Sequence, residues 1–100
     1  MILVHVTYKM KPGTKDQFMK EVVDLKIDEA ARKDPGNLAY DYYSAFYKDE
    51  ILLFELWTDE ASLMDHQTTP HNLELQKVKA KYVLETKIRR FDAEEVAFRK

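Results

Sequence analysis

Apolar and polar positions alternate from the start of the chain. Ile2, Val4, Val6 and Tyr8 fall on one side, and Leu3, His5 and Thr7 on the other, which predicts a strand over 2–10. Both sides are partly apolar, so neither is built to face plain water. Pro12-Gly13 forces a turn. Thr14 with Gln17 three residues later forms a capping box and predicts a helix over 14–33. Its apolar stripe is Phe18, Met19, Val22, Val23, Leu25 and Ala30, blurred where Lys26 and Glu29 intrude. Pro35-Gly36 ends it near Lys33.

Strand formers dominate residues 37–47, and 51–57 is a second strand beyond the polar Lys48-Asp49-Glu50. The pair predicts a hairpin. If Phe46 pairs with Ile51, Tyr42 lies opposite Glu55 and Tyr40 opposite Trp57, on one face. Thr58 or Asp59 caps a short helix over 59–67, and Thr69-Pro70 is a cap and first residue for another over 70–80. His71, Leu75, Val78 and Tyr82 recur at helical spacing and form its inward stripe. Alternation returns over 82–91, and residues 92–100 form a charged tail with Val96 and Phe98.

The order is β-α-β-β-α-α-β, the ferredoxin-like split βαβ plan, an α+β fold with a four-stranded antiparallel sheet and helices on one face. A one-sided helix layer should leave the other sheet face polar. Here Ile51 and Leu53 take one side while Leu52, Phe54 and Leu56 take the other. One apolar face therefore needs a second cover, and another copy of the same sheet is the simplest, so a homodimer is expected.

Composition narrows the chemistry. One hundred residues make a single domain over 1–100, and a net charge of −2 lacks the basic excess of a nucleic-acid binder. With no Cys, disulfides, thiolate catalysis, zinc–thiolate and iron–sulfur sites are ruled out. Two glycines, Gly13 and Gly36, cannot build a phosphate-binding loop. Neither Ser44 nor Ser62 sits in a G-x-S-x-G turn. No apolar run approaches the ~20 residues of a membrane span, and the first residues lack a signal peptide's charged region. The expectation is a cytoplasmic protein that does not engage membranes.

Three histidines remain as proton acceptors near neutral pH. His5 sits mid-strand among apolar neighbours, where core or interface histidines are usual. His66 ends one short helix and His71 begins the next; they either dress a helix junction or line a pocket. A metal pair on one helix needs a spacing of four, whereas these stand five apart across Pro70. With Asp65 a solvated charge, no metal is expected. Glu55 interrupts an apolar strand, so it pairs, faces a wet cleft, or is held with a raised pKa. Trp57 reads as core or platform. Tyr40, Tyr42, Tyr43, Tyr47 and Tyr82 serve a pocket for a flat ring or simply a sheet and its interface.

Several stretches together resemble the antibiotic biosynthesis monooxygenase family. They are Val4-His5-Val6-Thr7-Tyr8-Lys9-Met10-Lys11-Pro12-Gly13, then Pro35-Gly36-Asn37 and Tyr40-Asp41-Tyr42-Tyr43. The most specific is Glu55-Leu56-Trp57-Thr58-Asp59-Glu60-Ala61 followed by His66, Thr69, Pro70 and His71. The resemblance covers roughly residues 2–91 and implies a dimeric α+β barrel of the kind often called a quinol monooxygenase. Its better understood members oxidise phenols or quinols with O₂ and no metal, flavin or haem. Haem-degrading relatives use an Asn, a Trp and a haem-ligating His where this chain is matched to Val6, His66 and Gln76, so haem degradation is not implied.

The resulting expectation is a cofactor-independent monooxygenase of a small phenol or quinol. The alternative is a non-catalytic or isomerase-type binder of a small hydrophobic molecule on the same scaffold. The site is expected between the sheet and the short helices, lined by Trp57, His66, His71 and one or more of Tyr40, Tyr42 and Tyr82. There His66 or His71 takes the phenolic proton, and Glu55 orients a partner or a water.

Overall fold

A computed structural model describes residues 1–98. The chain runs β1 (Ile2–Met10), α1 (Lys15–Asp24), α2 (Ile27–Arg32), β2 (Asn37–Ser44), β3 (Glu50–Trp57), α3 (Glu60–Gln67), α4 (Pro70–Tyr82) and β4 (Val83–Asp92). The four strands form one antiparallel sheet in the order β2-β3-β1-β4. This is the ferredoxin-like α+β arrangement expected from the element order. The expected tail over 92–100 runs on from β4 without regular structure through residue 98; its last two residues lie outside the described ones.

The alternation in β1 and β3 sorts the two faces. Val4, Val6, Tyr8 and Met10 of β1 join Ile51, Leu53 and Trp57 of β3 and Tyr40 of β2 in the core. The helices contribute Phe18, Val22, Ile27, Ala31, Leu63, Leu75 and Val78. On the opposite face, Leu3, His5 and Thr7 pair with Leu56, Phe54 and Leu52 and are only partly covered.

The first helix is two helices rather than one. Lys26 adopts a left-handed conformation, φ 58°, and separates α1 from α2. An unbroken helix would carry the stripe forward through Leu25, but the break redirects the chain. Leu25 and Val23 turn outward, and Ile27 and Ala31 are buried instead. Thr14 precedes α1 without capping it through its side chain; its hydroxyl donates to Lys11 O at 2.7 Å. The two later caps behave as the sequence predicts. Asp59 accepts from Ser62 N at 2.8 Å, and Thr69 accepts from Asn72 N ahead of Pro70.

The hairpin pairs two residues out of the expected register. Ser44, not Phe46, pairs with Ile51, which sets Tyr42 against Leu53 and Tyr40 against Glu55. The loop between the strands is longer, so Phe46 and Tyr47 project from its tip into solvent. Tertiary bonds hold it. Lys15 Nζ donates to the carbonyls of Ala45 and Lys48 at 2.8 and 2.9 Å, and Met10 N donates to Asp49 O at 2.8 Å. A slip of two residues keeps every side chain on its original face, so Tyr40, Tyr42 and Glu55 still share the helix side.

Candidate active site

Glu55 reaches the site because it is an inward position of β3, between Leu53 and Trp57 on the same face. The Trp57 indole N–H donates to Glu55 Oε1 at 3.1 Å. Burial pushes the Glu55 carboxyl up from 4.5 to about 7, against the pull of that bond. The group therefore exchanges its proton near neutrality.

His66 faces Glu55 from the last turn of α3, with Nε2 3.9 Å from Glu55 Oε1. Its ring lies among aromatics, 4.7 Å from the Trp57 ring and 5.8 Å from that of Tyr40. Its other nitrogen, Nδ1, is 2.6 Å from Asp34 Oδ2. A carboxylate accepts only, so Nδ1 carries the hydrogen and Nε2 presents a lone pair toward Glu55. Burial lowers the His66 pKa, and Asp34 opposes that shift.

His71 completes the cluster from the first turn of α4. Its Nε2 is 2.8 Å from the same Asp34 oxygen. One carboxylate oxygen thus ties together the turn after α2, the end of α3 and the start of α4. Asp34, His66 and His71 offer a carboxylate and two imidazoles within 4.8 Å of one another. In this arrangement all three atoms are used in hydrogen bonds, and the oxygen sits at hydrogen-bond distance from both rings.

The open space beside this cluster is a cavity of about 280 Å³ between the sheet and α3–α4. Glu55 and His66 line it, with Val4, Val6, Leu53, Leu63, Leu75 and Ile88 as apolar walls. Tyr8 and the polar side chains of Gln67, Asn72, Gln76, Lys79, Thr86 and Arg90 complete the lining. Helix α2 packs on β2, and the β4 side of the space is formed by Thr86, Ile88 and Arg90, where Ile88 remains exposed.

The other residues singled out in the sequence fall into three places. Trp57 is fully buried behind Glu55 and His66. Tyr40 and Tyr42 pack beside them, their hydroxyls 2.9 Å apart, and burial raises both pKa values well above the usual phenol range. Tyr82 lies elsewhere: its hydroxyl donates to Glu21, and its ring packs on Phe18. Asp34 was not anticipated. It stands just before Pro35-Gly36, where an Asp is ordinary turn chemistry, so no local pattern distinguishes it. Lys79 was hidden in the same way among the charges of α4.

Solved structures share this architecture. A Nitrosomonas europaea protein superposes with a TM-score of 0.83 at 21% identity, over 93% of this chain and 98% of that one. Rv0793 from Mycobacterium tuberculosis gives 0.82 at 18%, over 97% and 98%. At such identities the likeness is one of fold. In sequence, the uncharacterized protein sll1783 of Synechocystis is 32% identical over 71 residues, 70% of this chain. The chain spans about half of that protein, 47% of its length. The sequence model for antibiotic biosynthesis monooxygenases matches residues 1–78, from β1 through most of α4. That stretch holds Asp34, Glu55, Trp57, His66 and His71, and the chain belongs to the antibiotic biosynthesis monooxygenase family.

Proposed function

We propose that this protein is a cofactor-independent monooxygenase acting on a small phenol or quinol. The observation that carries the reading is His66: its Nε2 faces Glu55 beside a cavity with apolar walls at Val4, Val6, Leu53 and Leu75, while Asp34 holds Nδ1. A ring in the cavity places its hydroxyl at His66 Nε2, which takes the proton. The imidazolium formed is stabilised by Asp34, a positioning residue that does not touch the substrate. Glu55, titrating near neutrality, receives or returns a proton at the same place.

The phenolate is then electron-rich enough to pass an electron to O₂, while Val4, Val6, Leu53 and Leu75 give the ring an apolar bed. Combination at an unsubstituted ring carbon forms a carbon–oxygen bond. Loss of water then gives the quinone. A phenol with a free para carbon plus O₂ yields a quinone and H₂O: one oxygen atom enters the ring, the other leaves as water. O₂ accepts four electrons, two from the ring C–H and two from the O–H bond. Beyond O₂, the reaction asks only for a base and an oriented ring.

The assembly is proposed to be a homodimer closed through the sheet face away from the helices. Leu3, Leu52, Phe54 and Leu56 lie on that face without a covering layer, and His5 Nδ1 is buried there with no hydrogen-bond partner among the described residues.

Oxygen uptake with a panel of phenols and quinols, on wild type and His66→Ala, tests the function. General-base loss costs roughly 10²–10⁴-fold in rate. Uptake that His66→Ala leaves at the parent rate removes His66 from the mechanism. Saturable binding without uptake for any member of the panel leaves the non-catalytic binder as the reading.

A further inference from the structure

The cavity has two chemically different ends, and strand register sets its axis. Val4 lies between Glu55 and Arg90 at one end, and Tyr8 lies beside Thr86 at the other. Four residues of strand separate these rows, about 13 Å. Glu55 belongs to the first row, with His66 facing it. Lys79 marks the second, its Nζ 4.9 Å from the centre of the Tyr8 ring. Between them the space is walled by Val6, Leu53 and Ile88.

Two cations line this space, and they differ in state. Arg90 is engaged at the rim, donating to Glu60 Oε2 at 2.7 Å. Lys79 is half-buried, and its only side-chain hydrogen bond among the described residues is a long one to Gln76 Oε1 at 3.4 Å. No carboxylate among the described residues pairs with it; the other lysines without one are exposed, or, as Lys15, bonded to carbonyls, whereas Lys79 is half-buried against Tyr8. A partly desolvated ammonium without a counter-charge is costly; burial lowers the Lys79 pKa accordingly. An anion arriving with the ligand would remove that cost.

We propose that the ligand of this cavity is a hydroxylated aromatic acid, bound with its hydroxyl at His66 and Glu55 and its carboxylate at Lys79. The hydroxyl end rests on the oxygenase reading; the carboxylate end rests on Lys79 alone. A ligand with the two groups at opposite ends of a flat, two-ring body matches the separation of the rows. Arg90 is held away from the carboxylate by Glu60, which leaves Lys79 as the recognising charge.

The test is binding, by isothermal titration, of 6-hydroxy-2-naphthoate and 2-naphthol, which differ only in the carboxylate. Wild type should bind the acid at least roughly tenfold more tightly, with the gap narrowing as salt rises. Lys79→Met keeps an apolar stem over Tyr8 and should bring the two affinities together; Lys79→Gln serves as the second variant. Equal affinities in wild type, a preference that survives in both variants, or no saturable binding of either compound overturns the proposal. Oxygen uptake is read separately. A Lys79-dependent preference in a protein that consumes no O₂ defeats the oxygenase reading and leaves the ligand class standing. Rapid uptake with neutral quinols and none with acids does the reverse.

Discussion

Asp34 and His66 stand 32 positions apart in the chain, yet Asp34 Oδ2 and His66 Nδ1 are 2.6 Å from each other. The bond fixes which imidazole nitrogen is free, and the free one faces Glu55. Asp34→Asn should lower turnover of a confirmed substrate by roughly 10²-fold. A structural role alone would leave the imidazole's titration where it is. The carboxylate favours the charged ring, so its loss should move the His66 titration, followed by NMR, to lower pH. An unmoved titration rules out this role for Asp34.

Glu55 makes stability depend on pH. Its carboxyl titrates at about 7 in the folded chain against 4.5 when free. Between those values the folded chain holds a proton that the unfolded chain has released. The resulting stability is complete below pH 4.5 and is lost as pH rises through 7. Glu55→Gln retains the acceptor for the Trp57 indole and has no charge to desolvate. It should be more stable than wild type at pH 8.5, by about 3 kcal/mol at most, and show little difference at pH 4. Urea unfolding at the two pH values checks this; an equal difference at both would count against it.

Gly36 fastens the turn that carries Asp34. Its φ is +80°, and a Cβ there would lie 2.7 Å from Thr58 Oγ1 and closer still to the Ser62 hydroxyl. Its carbonyl accepts from Thr58 N at 2.9 Å. Gly36→Ala should destabilise the fold by about 2 kcal/mol and weaken the Asp34–His66 contact with it. Thermal unfolding and the His66 titration together measure both effects. A variant as stable as wild type would mean that the turn can move away from α3 at no cost.

The uncovered sheet face should hold two copies together. Light scattering at micromolar concentration is expected to give a dimer mass, with an interface above about 1,000 Å² in total. Phe54→Glu, which puts a charge at the middle of that face, should give a folded monomer by scattering and circular dichroism. A wild-type monomer ends the argument.

The order of elements was legible because each rests on local rules. Alternation in β1 and β3, Pro12-Gly13, Asp59 and Thr69-Pro70 act within a few residues of themselves. The division of the first helix was not. Lys26 adopts a left-handed φ, which glycine favours and lysine does not; packing of Ile27 and Ala31 imposes it. The hairpin register escaped for a related reason, since Lys15 and Met10, outside the hairpin, hold its loop.

The sequence by itself determined an α+β chain with Glu55, Trp57, His66 and His71 in one region, because strand parity and helix caps are local properties. Only the tertiary structure decided which of them meet. It turned His66 toward Glu55 and the cavity, set His71 on Asp34 behind it, and took Tyr82 away to Glu21. It also brought in Asp34 and Lys79, whose surroundings in the chain resemble any turn or any charged helix face. What distinguishes them is the company they keep across the fold: two imidazoles for one, the Tyr8 ring and the far end of the cavity for the other. Such neighbours are chosen by how helices settle on a sheet, which no window of adjacent residues contains.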